Sequence, residues 1–390
     1  MRKEVIIVGF GHGTDAVIST LIRENTNYSI KIFTQEALLG YQKPPLSKEF
    51  LSGSLNKERI FFRNPEFLKK HNIEVFLSCP VKKIYANSKH IELSDGNKHS
   101  FDALIIATGS MPRTLGSIQN PFHLHNLHDA ELLKKKKINR LGIIGAGFIG
   151  MEVASSLAQS VKEIKIFERA SLVLESVCHE DIANILTRSL VTSGVHIELN
   201  CLIESVKEAD KKTILKTNDQ TYELDHVLTC IGNYTDTSIV DNAEINTNRG
   251  FMINNFCETS AKDIYAIGDC SEYQNPFNQQ YEVTTSISHA THQGQIAARN
   301  ILGIESKMSQ IPWFWSNQGK NRLQMMGYTH IGNELKSIKT SEESLTKIYS
   351  HNSRVVGFQS LNNPIHFAKI KKIMDEHYTN VEPMLIEHLF

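Results

Sequence analysis

Two stretches of the chain share one rhythm of apolar and polar positions. A short β-branched run from Val5 (VIIV) enters the glycine-rich turn GFGHG, and apolar residues then recur at helical spacing over 16–23. Another apolar run follows at 29–33. From Leu141 the order repeats: LGII, the turn GAGFIG, a helical pattern over 151–159 and an apolar run over 163–167. Each copy reads as strand, helix, strand, the parallel βαβ unit.

The likeness continues downstream. Each copy has a charged, turn-containing stretch of meander type that ends in a buried strand, DALIIATG at 102–109 and DHVLTCIG at 225–232. Asp95, Gly96 and Asn97 supply a hairpin turn to the first meander. A further apolar strand with Gly268 and Asp269 follows both copies, so the second module is expected to be inserted in the first. After about residue 312 the pattern changes to a smaller α+β region without a glycine-rich turn. The fold class expected is α/β, with two Rossmann-like dinucleotide-binding domains and a C-terminal α+β domain.

Gly145, Gly147 and Gly150 complete a G-x-G-x-x-G between strand and helix. The first glycine permits the tight turn, the second lets a pyrophosphate approach the backbone, and the third lets helix and strand pack closely. The helix N-terminus offers amide donors and partial positive charge. Glu168 ends the next strand, where a carboxylate can accept from a ribose 2′-hydroxyl. A 2′-phosphate about 4 Å from it would meet a repulsion of a few kcal/mol at an effective dielectric near 20, which favours NADH over NADPH; Arg169 next door softens that preference. The first copy is less regular. Gly9, Gly11 and Gly13 are in place, but Thr14 stands where the pattern expects Gly or Ala, and its ribose contact is either Gln35 or Glu36.

Length and charge narrow the class. At about 150 residues per domain, 390 residues make two to three domains. Forty-two basic residues against forty-two acidic ones argue against a polybasic nucleic-acid binder. Arg2 and Lys3 precede an apolar stretch, 5–8, too short for a signal peptide, and no run reaches a membrane span. The six cysteines (Cys79, Cys178, Cys201, Cys230, Cys257, Cys270) form no C-x-x-C pair, so the expectation is a reduced, cytoplasmic protein without a zinc module or a disulfide framework.

Two dinucleotide modules imply two cofactors joined by hydride transfer. The segment 41–48 (YQKPPLSK) sharpens this. With ATG at 107–109 followed by Pro112 and Arg113, the second glycine turn with Glu152, IYAIGD at 264–269 and PWFWS at 312–316, the chain resembles the FAD-dependent NADH:ferredoxin reductases that serve bacterial ring-hydroxylating dioxygenases and cytochromes P450. The resemblance covers nearly the whole chain. PPLSK together with PWFWS is its most specific part.

What the resemblance implies is an FAD domain of residues 1–112 and 236–312, an NAD domain of 113–235 and a C-terminal interface domain of 313–390. Asp269 would accept from the ribityl chain, and Ala107, Thr108, Gly109 and Ser110 would line the flavin side. Lys43 would approach the pyrophosphate, with Val81, Arg113, Gly232 and Gly268 completing the cofactor contacts. Lys48 would lie near the flavin ring, where an ammonium stabilises negative charge developing on reduction. Glu152 would face it from the nicotinamide side, and Trp315 would sit at the flavin edge where a small [2Fe-2S] ferredoxin docks. No nucleic acid or membrane partner is implied, and the protein would be a monomer or homodimer.

Related disulfide reductases carry a redox cysteine after the second strand; here no cysteine precedes Cys79, so electrons are expected to leave the flavin directly. Several positions depart from the family pattern. Lys43 stands at a usual arginine and loses its bidentate fork; His125 also stands at an arginine, Thr285 at a glutamate, His289 at an asparagine and Asn317 at an acidic residue. Other signals read as bland. His123, His125 and His128 suggest a solvated loop rather than a metal site, 134–137 a solvated basic turn, and Trp313 a core aromatic. Two other readings compete: reduction of a small acceptor (a quinone, an organic radical or oxygen) by the same flavin, and an NADH-sensing flavoprotein scaffold.

Overall fold

The computed structural model describes residues 3–24, 28–209 and 212–388; Arg2 lies outside the described residues. Its frame is a pair of parallel sheets. The first runs in the order Ile264–Ala266, Ala103–Ile106, Lys3–Val8, Tyr28–Phe33, Ile73–Phe76. Val5, Ile6, Ile7 and Val8 are all buried, which explains a continuous apolar run in place of an alternating one: both faces of the sheet are covered. The second sheet runs Val195–Glu198, Glu163–Phe167, Arg140–Ile144, His226–Thr229.

The two sheets repeat each other bond for bond at the glycine turns. Gly9 N donates to Phe33 O and Gly145 N to Phe167 O, both at 2.8 Å. On the other side, Ala107 N donates to Val8 O at 2.8 Å and Cys230 N to Ile144 O at 2.7 Å. At both turns the leading glycine has positive φ, and a Cβ there would lie 2.2 Å from Ala107 O or 2.4 Å from Cys230 O. No other residue type fits the space or the conformation.

Helix His12–Arg23 follows the first turn and packs against helix Ile287–Ile301 from the far end of the chain. Their crossing is close because both carry glycine: a Cβ on Gly294 would stand 2.4 Å from Gly13 O. Each parallel sheet has its antiparallel companion, Val81–Tyr85, His90–Leu93, Lys98–Ser100 and Ile203–Ala209, Lys212–Thr217, Thr221–Leu224. Asp95, Gly96 and Asn97 make the turn of the former, with Asn97 N donating to Asp95 Oδ1 at 2.9 Å.

The chain crosses between the sheets twice, and the two crossings pair with each other. Met111–Pro112 and Asn233–Tyr234 form an antiparallel ribbon. Arg113 reinforces it by donating from N to Gly232 O and from Nε to Asn233 O, each at 2.9 Å.

The last sheet is antiparallel, in the order Trp313–Gln318, Asn321–Gly327, Arg354–Leu361, Ser344–His351, Asn333–Ser341. Helix Pro364–His377 buries Phe367, Ile370 and Met374 against the fold. A charged network ties this sheet to helix Glu180–Thr192. Lys347 is 4% exposed; its ammonium lies 2.8 Å from Asp181 and 3.0 Å from Glu334, and His179 lies 3.0 Å from the same Glu334 oxygen. Among the described residues no helix is long and apolar enough to cross a membrane.

Two expectations are corrected. His123 and His125 are half-buried rather than solvated, and His128 is an exposed residue of helix Leu127–Lys135. The basic run is exposed but is not a plain turn: Lys134 and Lys135 close that helix, and Lys134 Nζ donates to Phe50 O at 3.1 Å.

Gly294→Ala forces the crossing of helices 12–23 and 287–301 apart. The expected cost is about 1–3 kcal/mol, read as a lower urea midpoint of unfolding; an unchanged midpoint would mean that the two helices part freely.

Candidate functional site

One cavity of about 1520 Å³ opens between the parallel sheets and reaches the C-terminal sheet at Phe314 and Trp315. It exceeds the roughly 300–1,000 Å³ of a single small-molecule pocket. Both glycine turns open onto it. At Gly11, Gly109 and Gly147 an added Cβ would meet no atom within 4 Å and would stand in the cavity itself. Helices His12–Arg23 and Phe148–Leu157 start from Gly11 and Gly147 without a side-chain cap. The five other helices of six or more residues among the described residues are capped, by Asn64, Asn126, His179, Ser286 and Asn363. First-turn amides left unpaired beside open space are what a diphosphate requires, so the residues present fit two dinucleotides.

Between the turns stands a buried ion pair. Glu152, 4% exposed, points from helix Phe148–Leu157 toward the PPLSK segment. Its Oε2 accepts from Lys48 Nζ at 2.6 Å and from Ser47 Oγ at 2.5 Å, and its Oε1 accepts from Ser316 Oγ at 2.7 Å. Lys48 Nζ also donates to Pro44 O at 3.2 Å, and Ser156 Oγ donates to Ser47 O at 2.8 Å. The prolines explain the local shape: Pro44 opens the 3₁₀ helix Pro44–Ser47, a fixed-φ start that sets Lys48 at its end. Ser47 and Ser316 were not singled out from the sequence. Both lie inside the specific motifs, but only the fold brings 47, 152 and 316 together.

The first glycine turn is held by Thr14 Oγ1, which donates to Gly9 O at 2.9 Å. Beyond it, Glu36 is engaged: it accepts from Tyr41 at 2.5 Å and lies 3.5 Å from Lys43, while Gln35 is exposed. Val81 is off the cavity wall. It begins a strand two residues after Cys79, whose amide donates to Thr34 O at 2.8 Å, beside the 35–36 corner. Lys43 faces the cavity and donates to His125 O at 3.3 Å. Asp269 lines the opposite wall; burial raises its carboxyl above the usual range, with Lys43 and a 3.5 Å bond from Ser110 opposing. Ala107, Thr108, Arg113 and Gly268 also line the cavity.

On the other side Gly145, Gly147, Glu168, Arg169 and Gly232 line it. Glu168 Oε2 accepts from Ala146 N at 2.7 Å and Oε1 from Ala170 N at 2.8 Å, which aims the carboxylate and leaves each oxygen a further lone pair. Gly150 is off the wall, packed where a Cβ would lie 2.2 Å from Gly145 O. Cys201 and Cys230 also reach the cavity wall. Burial pushes the Cys230 thiol up to about 12 and raises Cys201 as well, so neither offers a thiolate near neutrality. Trp315 lines the cavity and packs at a tilt against Trp313 at 5.4 Å; Trp313 packs on Phe367 at 5.7 Å.

Residues 3–294 match the pyridine nucleotide-disulphide oxidoreductase family and 313–387 the reductase C-terminal family. Putidaredoxin reductase of Pseudomonas putida is 28% identical, over 99% of this chain and 94% of its own length. A rubredoxin-NAD(+) reductase of Ectopseudomonas oleovorans is 26% identical, over 92% and 96%. Among solved structures, the covalent putidaredoxin reductase–putidaredoxin complex superposes with a TM-score of 0.92 at 26% identity, covering 98% of this chain and 95% of that one.

Glu152→Ala leaves the Lys48 ammonium buried without its counter-ion, at an expected cost of about 3–5 kcal/mol; Ser316→Ala removes one bond to the same carboxylate, about 1–3 kcal/mol. Trp313 and Trp315 are the only tryptophans, so tryptophan fluorescence in urea reports both losses. Equal midpoints for Glu152→Ala and wild type would contradict the ion pair's structural role.

Proposed function

The chain belongs to the pyridine nucleotide-disulphide oxidoreductase family, and from that premise we propose that it is an NADH-dependent flavoprotein reductase that passes single electrons to a small [2Fe-2S] ferredoxin serving an oxygenase. The observation that carries this reading is the pair of uncapped, glycine-started helices opening onto one cavity, with Lys48 and Glu152 between them. FAD, held at the first turn, supplies the chemistry that accepts a hydride from NADH and releases electrons singly.

The chain's own residues do the rest. In this reading 1–112 and 236–312 hold FAD, with Asp269 and Lys43 as its polar partners; 113–235 holds NADH; and 313–390 presents the acceptor surface. Glu168 accepts from the nicotinamide nucleotide's ribose hydroxyls and repels a 2′-phosphate. Lys48 keeps a positive charge in the wall between the two turns, where low exposure lets it act at full strength on charge that develops nearby. Glu152 holds Lys48 there, and Ser47 and Ser316 hold Glu152. Trp315 stands where the cavity meets the C-terminal sheet, the side from which electrons leave. With the Cys201 and Cys230 thiols held protonated, no thiol relay intervenes. An iron-sulfur acceptor is supported by the relatives, one of which is solved joined to its putidaredoxin. The free thiols, three of them buried, support a reducing, cytoplasmic setting.

Purified protein is expected to be yellow, to bleach with NADH under anaerobic conditions, and to reduce cytochrome c only when a ferredoxin is added; ferredoxin-independent reduction at the same rate would overturn the acceptor. Glu168→Ala is expected to raise kcat/KM for NADPH about tenfold or more, the size of a like-charge repulsion partly screened by water, while leaving NADH within a few-fold.

A further inference from the structure

Three histidines line the cavity; the ring of His123 is tied to Thr229 O at 3.1 Å, and the other two, His12 and His125, share Lys43 as a neighbour. His12 is the first residue of helix His12–Arg23, directly after Gly11, and His125 lies on the loop before helix Leu127–Lys135. Lys43 lies near both, with its ammonium 3.3 Å from His125 O. Among the described residues neither imidazole has a hydrogen-bond partner. The His12 ring touches Phe62 edge-on at 4.9 Å.

The charges around the pair are few. Asp15 lies on the helix of His12, but its carboxylate is spent on Arg63, at 2.7 and 3.3 Å. Asp129 faces His125 from the next helix and is spent on the amides of His125 and Asn126, at 2.9 and 3.1 Å. His123 is the remaining titratable neighbour of His125, and Glu36 reaches the group only through Lys43. Lys43 acts on both rings and opposes their protonation.

We propose that His12 and His125 are anion ligands of the FAD diphosphate in this chain, and that each takes up a proton as the cofactor enters. The inference rests on the reading of this cavity as an FAD site. In the free cavity burial holds both imidazoles down at about 4, so near neutrality both are neutral. A diphosphate placed against the uncapped amides at Gly11 brings two negative charges, which the single ammonium of Lys43 does not balance. Opposite charge within a few Å favours the protonated imidazole. The bound-state pKa therefore lies above the free one, and binding consumes protons between the two values. FAD affinity is highest at low pH, falls as pH rises through the bound-state pKa, and levels off above it.

The test is the dissociation of FAD from the holoprotein on dilution, read by the fluorescence that freed flavin regains, at pH values from about 5.5 to 8.5. Each linked proton gives up to about a tenfold loss of affinity per pH unit within its window. His12→Gln and His125→Gln are each expected to reduce the slope, and the double variant to abolish it. Heats of FAD rebinding to the deflavinated wild type, in two buffers of different ionisation enthalpy, count the protons without any substitution. Proton uptake together with a flat double variant supports the proposal. A flat wild-type profile with no uptake, or a double variant that keeps the wild-type slope, overturns it while leaving the FAD site intact. Absence of FAD binding at every pH overturns the functional reading, and this proposal with it.

Discussion

A single carboxylate, that of Glu152, joins the three parts of the molecule. Lys48 and Ser47 come to it from the segment after the first glycine turn, Glu152 itself from the helix of the second, and Ser316 from the C-terminal sheet. Burying an ion pair is expensive unless its remaining lone pairs are satisfied, and here both oxygens are occupied. The benefit is positional more than energetic. The ammonium of Lys48 has one place to be, and that place is the wall shared by both nucleotide turns. The Asp181, Glu334 and Lys347 network repeats the same solution farther out.

Around that centre, backbone does what side chains do in many other sites. At both turns the leading glycine lies against a carbonyl of the neighbouring strand, and the second faces open cavity. The amides offered there carry no fixed charge. Fixed charge is therefore left to a few side chains: Lys43, Arg113 and Asp269 around the first turn, Glu168 and Arg169 beside the second. Their small number makes the character of each nucleotide site sensitive to single positions.

Much of this was legible in the sequence because it rests on local rules. Continuous apolar runs ending in Gly9 and Gly145 became central parallel strands, the 3.6-residue patterns became helices 12–23 and 148–157, and Asp95-Gly96-Asn97 became a hairpin. The insertion was readable from the strand of 264–266 following both modules. What was not legible depends on long-range packing. Nothing in the sequence distance between Ser47, Glu152 and Ser316 says that they touch. The half-burial of His12 and His125 depends in part on residues far along the chain, Phe62 against His12 and Lys43 against His125. Cys201 and Cys230 illustrate the same limit: their type is visible, their arrival at the cavity wall is not.

The ribbon of Met111–Pro112 with Asn233–Tyr234 also sets an order in time. Because the ends of the inserted segment meet there, that segment can close on itself without waiting for residues beyond the ribbon. Strand Ala103–Ile106 must wait for its partner Ile264–Ala266, about 160 residues later, which at 5–20 residues per second is roughly ten to thirty seconds of synthesis. Throughout that interval the first sheet has an open apolar edge, and helix 12–23 has no helix 287–301 to cover it. Of the two parallel-sheet modules the one begun first is completed second, so a vulnerable moment for this chain falls before its middle has been surrounded by the segments on either side.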